Sequence, residues 1–119
     1  MTRLSPSQYH GLAPRKNKFG ARKTVVDGIT FDSQAEANYY AALKVRERAG
    51  EIFTVEFQPR YALVINGILV ASYRADFRFY DAMEGRERVV DVKGFDTAVS
   101  KIKRKMVRAL YGVTVELAK

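Results

Sequence analysis

The sequence predicts an α/β fold: one domain in which a β-hairpin precedes a helix, three to four mostly antiparallel strands, a second helix and a last strand. Two turn pairs, Asp27-Gly28 and Asn66-Gly67, each separate short β-branched runs and therefore predict hairpins. Two longer segments have helical spacing, and each ends before a glycine. The chain has 119 residues, of which 47% are hydrophobic, and these values suit a single domain with a packed core.

The first half of the chain gives four elements in order. A hairpin is predicted over residues 24–31, where Thr, Val, Ile and Phe flank the turn. A Ser-x-x-Glu capping box opens a helix that is predicted from Ser33 to about Ala49. Strand patterns follow at Ile52–Phe57 and Tyr61–Ile65, and Pro59 between them predicts an edge or a bulge.

The second half continues with strands and one more helix. A long strand is predicted at Ile68–Tyr80 and a shorter one at Arg88–Lys93. The second helix is predicted from Thr97 to Leu110, followed by a last strand at Val113–Leu117. The positions of this helix that are expected to face the core are Val99, Ile102, Met106, Ala109 and Leu110.

The charge balance favours a polyanionic partner. Lys and Arg number 21 against 13 Asp and Glu, which gives a net charge of +8. Such an excess suits nucleic-acid binding, because contacts to phosphates release condensed counterions. Residues 1–23 contain no acid and are predicted to be a flexible basic arm, although a simple solvated terminus fits equally well. The candidate DNA contacts in this arm are Arg15, Lys16, Lys18, Arg22 and Lys23.

Residue counts exclude several kinds of site. The chain has no cysteine, so disulfides, thiolate zinc sites and cysteine nucleophiles are excluded. His10 is the only histidine, which argues against a zinc cluster or a Ser/His/Asp triad. No apolar run approaches the ~18 residues of a membrane span, and residues 1–23 are too polar for a signal peptide, so an intracellular location is expected.

Two strand segments carry candidate catalytic residues. Asp76 lies between Arg74 and Arg78 on one face of its strand, where it is either functional or part of an exposed Arg-Asp-Arg ladder. Asp91 and Lys93 share a face of a valine-rich strand, and charges among buried valines need partners. Asp-x-Lys alone is a weak pattern, and its weight here comes from the other acids.

A third acid lies at the start of the first helix. Glu36 completes the capping box, which is a sufficient structural reason for its presence. It also shares a helical face with Tyr39, Tyr40 and Leu43, so it could point toward the strand carboxylates.

Three carboxylates and a lysine near one sheet edge suit the hydrolysis of a phosphodiester. Asp76 and Asp91 would be direct Mg²⁺ ligands, with the Val92 carbonyl as a third. Glu36 would bind a second ion or a metal-bound water. Lys93 would orient or deprotonate the attacking water and stabilise the developing charge.

These residues resemble the signature of the PD-(D/E)xK nuclease superfamily. The helical Glu36, then Asp76, then Asp91-Val92-Lys93 match its motif, and the predicted element order over Thr24–Leu117 matches its restriction-endonuclease-like sandwich. More closely, several stretches look like small phage-encoded Holliday junction resolvases of the endonuclease I type. These stretches are residues 26–33, Phe57-Gln58-Pro59, residues 73–77 and residues 91–95.

The resemblance implies Mg²⁺-dependent cleavage of branched DNA by a homodimer, with Mn²⁺ able to substitute and no small-molecule cofactor. It also implies a role in DNA recombination in a bacterial cytoplasm. The chain departs from the pattern at two positions: Ala75 replaces the proline, and Asp91 stands where Glu is commoner. Alternative substrates in the same superfamily are linear, nicked or transposon-end DNA, and a non-catalytic DNA-binding protein could keep the same fold.

The second predicted helix carries a one-signed basic face, and no acid occurs between Ala98 and Tyr111. Solvated helix faces usually mix charges, so a single sign favours a phosphate backbone as partner. Contacts of this type fix position and carry no base information. The predicted DNA-binding residues here are Lys101, Lys103, Arg104, Lys105 and Arg108, with Arg74 and Arg78 on the strand.

Overall fold

The computed structural model describes residues 23–119, which divide into two units: the first ends at Asn38 and the second comprises Tyr39–Lys119. In the first unit, β1 (Thr24–Val26) and β2 (Ile29–Phe31) pair antiparallel, as predicted. The two turn residues, Asp27 and Gly28, have φ of 52° and 75°. Positive φ at both positions is what a type I′ turn requires.

The first helix, α1, spans Gln34–Arg48, and its residues from Tyr39 onward belong to the second unit. Its start is capped as the sequence predicts, because the Glu36 backbone N–H donates to the Ser33 Oγ at 3.1 Å. Tyr40 and Leu43 are buried, and the ring centroid of Tyr39 lies 5.5 Å from that of Phe77. The second-unit part of α1 therefore packs through aromatic and aliphatic side chains.

The second unit contains one long, bent hairpin. Strand β3 (Ile52–Phe57) pairs with β6 (Phe77–Asp81), and β4 (Arg60–Ile65) pairs with β5 (Ile68–Arg74) around the Asn66-Gly67 turn. The single strand predicted at residues 68–80 is therefore wrong, because it is interrupted at residues 75–76. The predicted irregularity at Pro59 is confirmed opposite this interruption.

Two backbone hydrogen bonds hold the bend together. The Gln58 N–H donates to the Asp76 carbonyl at 2.9 Å, and the Ala75 N–H donates to the Pro59 carbonyl at 3.1 Å. Gln58 has φ of 52°, and Pro59 has no N–H to offer a regular ladder. The strands therefore change direction here without leaving these backbone groups unpaired, and Asp76 lies at the bend.

The remaining strands complete a four-stranded sheet in the order β3-β6-β7-β8. Strand β7 (Arg86–Val92) pairs antiparallel with β6, and β8 (Val115–Ala118) pairs parallel with β7. The crossover between β7 and β8 is the second helix, α2 (Ala98–Tyr111), capped by the Thr97 side chain and ended by Gly112. An α/β fold with two helices, mostly antiparallel strands and an initial hairpin is thus confirmed.

The buried face of α2 differs from the predicted one. Val107 is fully buried against Tyr61, Leu63, Tyr73, Ala75 and Val89, and Met106 packs at the margin of this cluster. In contrast, Val99, Ile102 and Leu110 are exposed. Arg104, which lies three positions before Val107 on the same helical face, is largely buried and pairs with Asp96.

A buried ion cluster connects α1, β6 and β7 within the second unit. The Asp81 carboxylate is 0% exposed and accepts hydrogen bonds from Arg46 at 3.1 Å and Arg88 at 2.9 Å. Its other oxygen accepts the backbone N–H groups of Met83 and Glu84. Burial alone would raise the pKa of Asp81, but these hydrogen bonds lower it to about 2.

No helix within residues 23–119 combines the length and the apolar composition needed to cross a bilayer.

Candidate functional site

The candidate site forms where the bent hairpin meets β7. Asp76 is attached to β7 twice: its backbone N–H donates to the Val90 carbonyl at 3.1 Å, and its Oδ2 accepts the Val92 N–H at 2.7 Å. Asp91 lies between these two contacts in the sequence. The structure thus brings the predicted residues Asp76 and Asp91 to adjacent positions, and the Asp76 carboxylate takes the place of a strand acceptor at the bend.

Asp91 is buried, with a side chain 5% exposed, and it contacts Lys93 and Tyr73. The Lys93 Nζ lies 3.3 Å from the Asp91 Oδ2, and the Tyr73 hydroxyl donates a hydrogen bond to the same oxygen. The Lys93 side chain is 23% exposed, so its ammonium group lies at the boundary between the buried carboxylate and solvent. Asp91 and Lys93, which form the predicted Asp-x-Lys pair, therefore also contact each other in the structure.

Tyr73 belongs to this site although it is not part of the predicted catalytic set. Burial and the hydrogen bond to Asp91 raise the pKa of the Tyr73 hydroxyl far above its usual range. The hydroxyl therefore keeps its proton and acts as a permanent donor to Asp91. The signal that could have identified Tyr73 is its position three residues before Asp76, on the buried face of the strand.

Behind Tyr73 lies a second ion pair that the sequence does not reveal. Arg104 of α2 binds both oxygens of Asp96, at 2.8 and 2.6 Å, and its positive charge offsets part of the rise in the pKa of the Tyr73 hydroxyl. The hydrogen bond from Arg104 lowers the pKa of the Asp96 carboxyl. Electrostatic influence thus extends from Arg104 of α2 to Tyr73, whose hydroxyl donates to Asp91, and no periodic pattern in the sequence marks Asp96 as the partner of Arg104.

The basic face of α2 is the predicted anion-binding surface. Lys101, Arg104, Lys105 and Arg108 line one open depression together with Thr114 and Val115. Lys101, Lys105 and Arg108 are exposed, whereas the guanidinium group of Arg104 is paired with Asp96. The predicted spacing therefore does bring four cations together, but one of them has an internal role. Lys103 is half-buried on the same helix.

The other predicted DNA contacts have varied surroundings. Arg78 pairs with Glu56 and hydrogen-bonds the Tyr61 hydroxyl, and Arg74 is half-buried. Lys23 is exposed at the start of the described region. Of the arm predicted over residues 1–23, only Lys23 is among the described residues. The other predicted DNA contacts of this arm lie outside them: Arg15, Lys16, Lys18 and Arg22.

The oxygen donors of the site suit a hard divalent cation. Asp76 and Asp91 lie at adjacent backbone positions of the bend and β7, and a cation would offset the repulsion between two neighbouring carboxylates. Within residues 23–119 no group of three Asp, Glu or His side chains is arranged to hold a metal ion. Two carboxylates are nevertheless enough for Mg²⁺, which keeps waters and takes phosphate oxygens as its remaining ligands. The predicted site residue Glu36 belongs to the first unit, whereas Asp76 and Asp91 belong to the second.

The chain belongs to a protein family of unknown function, DUF1064, whose model matches residues 16–117. No curated protein and no solved structure matches the chain.

Proposed function

We propose that this member of the DUF1064 family is a divalent-metal-dependent endonuclease that hydrolyses phosphodiesters in branched DNA, with four-way junctions as the preferred substrate. The observation that carries the proposal is the hydrogen bond from the Val92 N–H to the Asp76 carboxylate. Val92 separates Asp91 from Lys93 in the sequence, so this bond gathers two acids and a lysine at one point. The net charge of +8 supports a nucleic-acid substrate.

Asp76 and Asp91 are the residues that would hold Mg²⁺ or Mn²⁺, with the Val92 carbonyl as a further oxygen. When bound, such an ion neutralises charge on the non-bridging phosphate oxygens and makes a water molecule more acidic. The hydrogen bonds from Tyr73 and the Val92 N–H fix the two carboxylates before any substrate arrives.

Lys93 supplies the positive charge on the solvent side of the carboxylates. Hydrolysis adds a water oxygen to phosphorus and breaks the bond to one sugar oxygen, which leaves as a hydroxyl after taking a proton. The partly exposed Nζ of Lys93 can donate to the attacking water or to a non-bridging oxygen, because its 3.3 Å contact with Asp91 uses one of its three N–H groups. Its role is thus orientation and charge stabilisation.

The basic depression on α2 supports binding of the DNA backbone beside this centre. Arg104 lines the depression and lies near enough to Tyr73 to influence the pKa of its hydroxyl, so this basic surface is electrostatically coupled to the donor of Asp91. Lysine and arginine contacts to phosphates position a duplex without reading its sequence, which suits selection of DNA by shape.

One gel tests the proposal. A four-way junction, a flap, a nicked duplex and a linear duplex of equal length are incubated with the protein and Mg²⁺, Mn²⁺, Ca²⁺ or EDTA. We expect the junction to be cut fastest, with Mg²⁺ or Mn²⁺ and not with Ca²⁺ or EDTA. If linear or nicked DNA is cut faster than the junction, the protein is a nuclease with that DNA as its preferred substrate. Metal-independent binding without nicking of any substrate would contradict nuclease activity and leave a DNA-binding protein.

The variant Tyr73→Phe tests the role of the Tyr73 hydroxyl. We expect Tyr73→Phe to raise the Mg²⁺ concentration for half-maximal cleavage about 10-fold, because Asp91 loses a donor that orients it. Tyr61→Phe is the matched control: Tyr61 is equally buried in the same cluster, and its hydroxyl contacts Arg78 rather than Asp91. An equal change in both variants, or a loss of activity that high Mg²⁺ does not restore, would show that Tyr73 does not position Asp91.

A further inference from the structure

The end of the β4–β5 hairpin exposes an unusual amount of apolar surface. Five large aliphatic side chains between residues 64 and 70 are 41–66% exposed. They are Val64, Ile65, Ile68, Leu69 and Val70, and they are called the hairpin tip below. The run from Tyr61 to Tyr73 is also the longest in the chain without a charged residue, although 29% of all residues are charged. Exposed strands are normally protected by charges, so their absence indicates a covered surface.

The same hairpin has an open edge. Among the described strands, β4 and β5 pair only with each other and form a separate two-stranded sheet. On the β4 side, the Ala62 carbonyl accepts a hydrogen bond from the Tyr111 hydroxyl at 2.6 Å. The outer edge of β5 pairs with no other strand within residues 23–119. It therefore offers backbone donors and acceptors to a further strand.

Electrostatics favours a second copy of this chain at this surface. Two molecules that each carry +8 repel one another, so they approach most easily where the surface has no charge. DNA contacts would instead favour a basic strand edge. An open antiparallel edge is also self-complementary, because pairing a strand with its own copy is satisfied by a twofold axis.

The area available is adequate for association. The five half-exposed side chains offer a few hundred Å² per copy, which places two copies near the roughly 1,000 Å² total at which specific interfaces begin. Main-chain hydrogen bonds along the β5 edge would add directional contacts to this apolar area.

We propose that the hairpin tip and the outer edge of β5 bind the same surface of a second copy and form a twofold-symmetric dimer. The dimer itself follows from this surface. Its use, which is to place one hydrolytic centre on each of two DNA strands, rests on the proposed function.

The first test is the mass of the protein in the absence of DNA and metal. We expect sedimentation velocity at micromolar concentration to give a dimer of the 13.5 kDa chain, and the double variant Ile68→Lys/Leu69→Lys to give a monomer. Both side chains are about two-thirds exposed, so the fold has no need of them. The control Val45→Lys/Val99→Lys adds the same charge at similarly exposed sites and should remain dimeric.

A second test uses the absence of cysteine from the chain. At least one of the single variants Ile68→Cys, Leu69→Cys and Val70→Cys should form a disulfide-linked dimer under mild oxidation, because the residue nearest a twofold axis lies beside its own copy, whereas Val45→Cys should not. A monomeric wild-type protein would overturn the proposal, as would a double lysine variant that stays dimeric. A variant that stays dimeric but loses DNA binding would assign the tip to DNA. If the wild-type protein is a dimer that cleaves no DNA, only the proposed nuclease activity is contradicted. If it is a monomer that cleaves DNA, only the proposed dimer is contradicted.

Discussion

Asp91→Asn is expected to reduce DNA cleavage by about 10³-fold or more while leaving binding of a four-way junction intact. The variant keeps the shape of the side chain and an oxygen that can accept the Tyr73 hydrogen bond. It removes the negative charge that attracts a divalent cation and that pairs with Lys93. Cleavage and binding are measured with the same labelled junction, with Mg²⁺ for cleavage and Ca²⁺ for binding.

The control for this variant is Glu87→Gln. Glu87 lies on the same strand and is exposed, so its replacement changes the net charge equally without altering the site. We expect cleavage by this control to remain within about 2-fold of wild type. Lys93→Ala should lose cleavage as Asp91→Asn does, because Lys93 contacts the same oxygen. If Asp91→Asn and Lys93→Ala both cleave the junction at the wild-type rate, the hydrolytic centre lies elsewhere in the protein.

Asp81→Asn is expected to lower the melting temperature by about 10 °C or more. The substitution leaves two arginines, Arg46 and Arg88, facing a neutral group in a buried position. Asparagine keeps an oxygen for the Met83 and Glu84 N–H groups, but its NH₂ group then faces the guanidinium donors, which retain only their glutamate partners. Thermal unfolding followed by circular dichroism measures the effect, and Glu56→Gln is the matched control. Glu56 pairs with Arg78 at the surface, so its loss should change the melting temperature by a few degrees at most.

The same residue predicts how stability depends on acid. The folded-state pKa of Asp81 is about 2, below its ordinary value of 3.8. Ionised Asp81 therefore contributes stability that is fully present above about pH 4 and is lost as the pH falls toward 2. The wild-type protein should lose stability over this range, and Asp81→Asn should lose less of it. Identical acid profiles in the two proteins would mean that Asp81 is not linked to folding.

Local patterns were sufficient to predict most of the secondary structure. The Asp27-Gly28 turn and the capping of α1 by Ser33 depend on residues within four positions of each other, so the sequence carries the required information directly. The adjacency of Asp76 and Asp91 was also predictable, because alternation on two neighbouring strands limits where each side chain can point.

The errors have a common physical origin in tertiary contacts. Burial alternates correctly from Ala71 to Phe79, so nothing in this pattern reveals that the strand bends at Ala75-Asp76. The bend depends on Gln58 and Pro59, which lie on the opposite strand. Likewise, the apolar pattern of α2 could not show that Arg104 turns inward, because its partner Asp96 lies in the preceding loop.

The bent hairpin has a consequence for the order in which the protein folds. Its pairs extend from Ile65↔Ile68 at the turn to Ile52↔Asp81 at the base, so each new pair closes only a small additional loop. The parallel pairing of β7 with β8 joins residues such as Val89 and Val115 and must wait for a much longer loop to close. Asp76 and Asp91 depend only on the local pairs, because β7 follows β6 through a short turn and pairs with it from Asp81↔Arg86 to Phe77↔Val90. The two aspartates can therefore come together before β8 joins the sheet, and the parallel strand is added to a candidate site whose backbone is already in place.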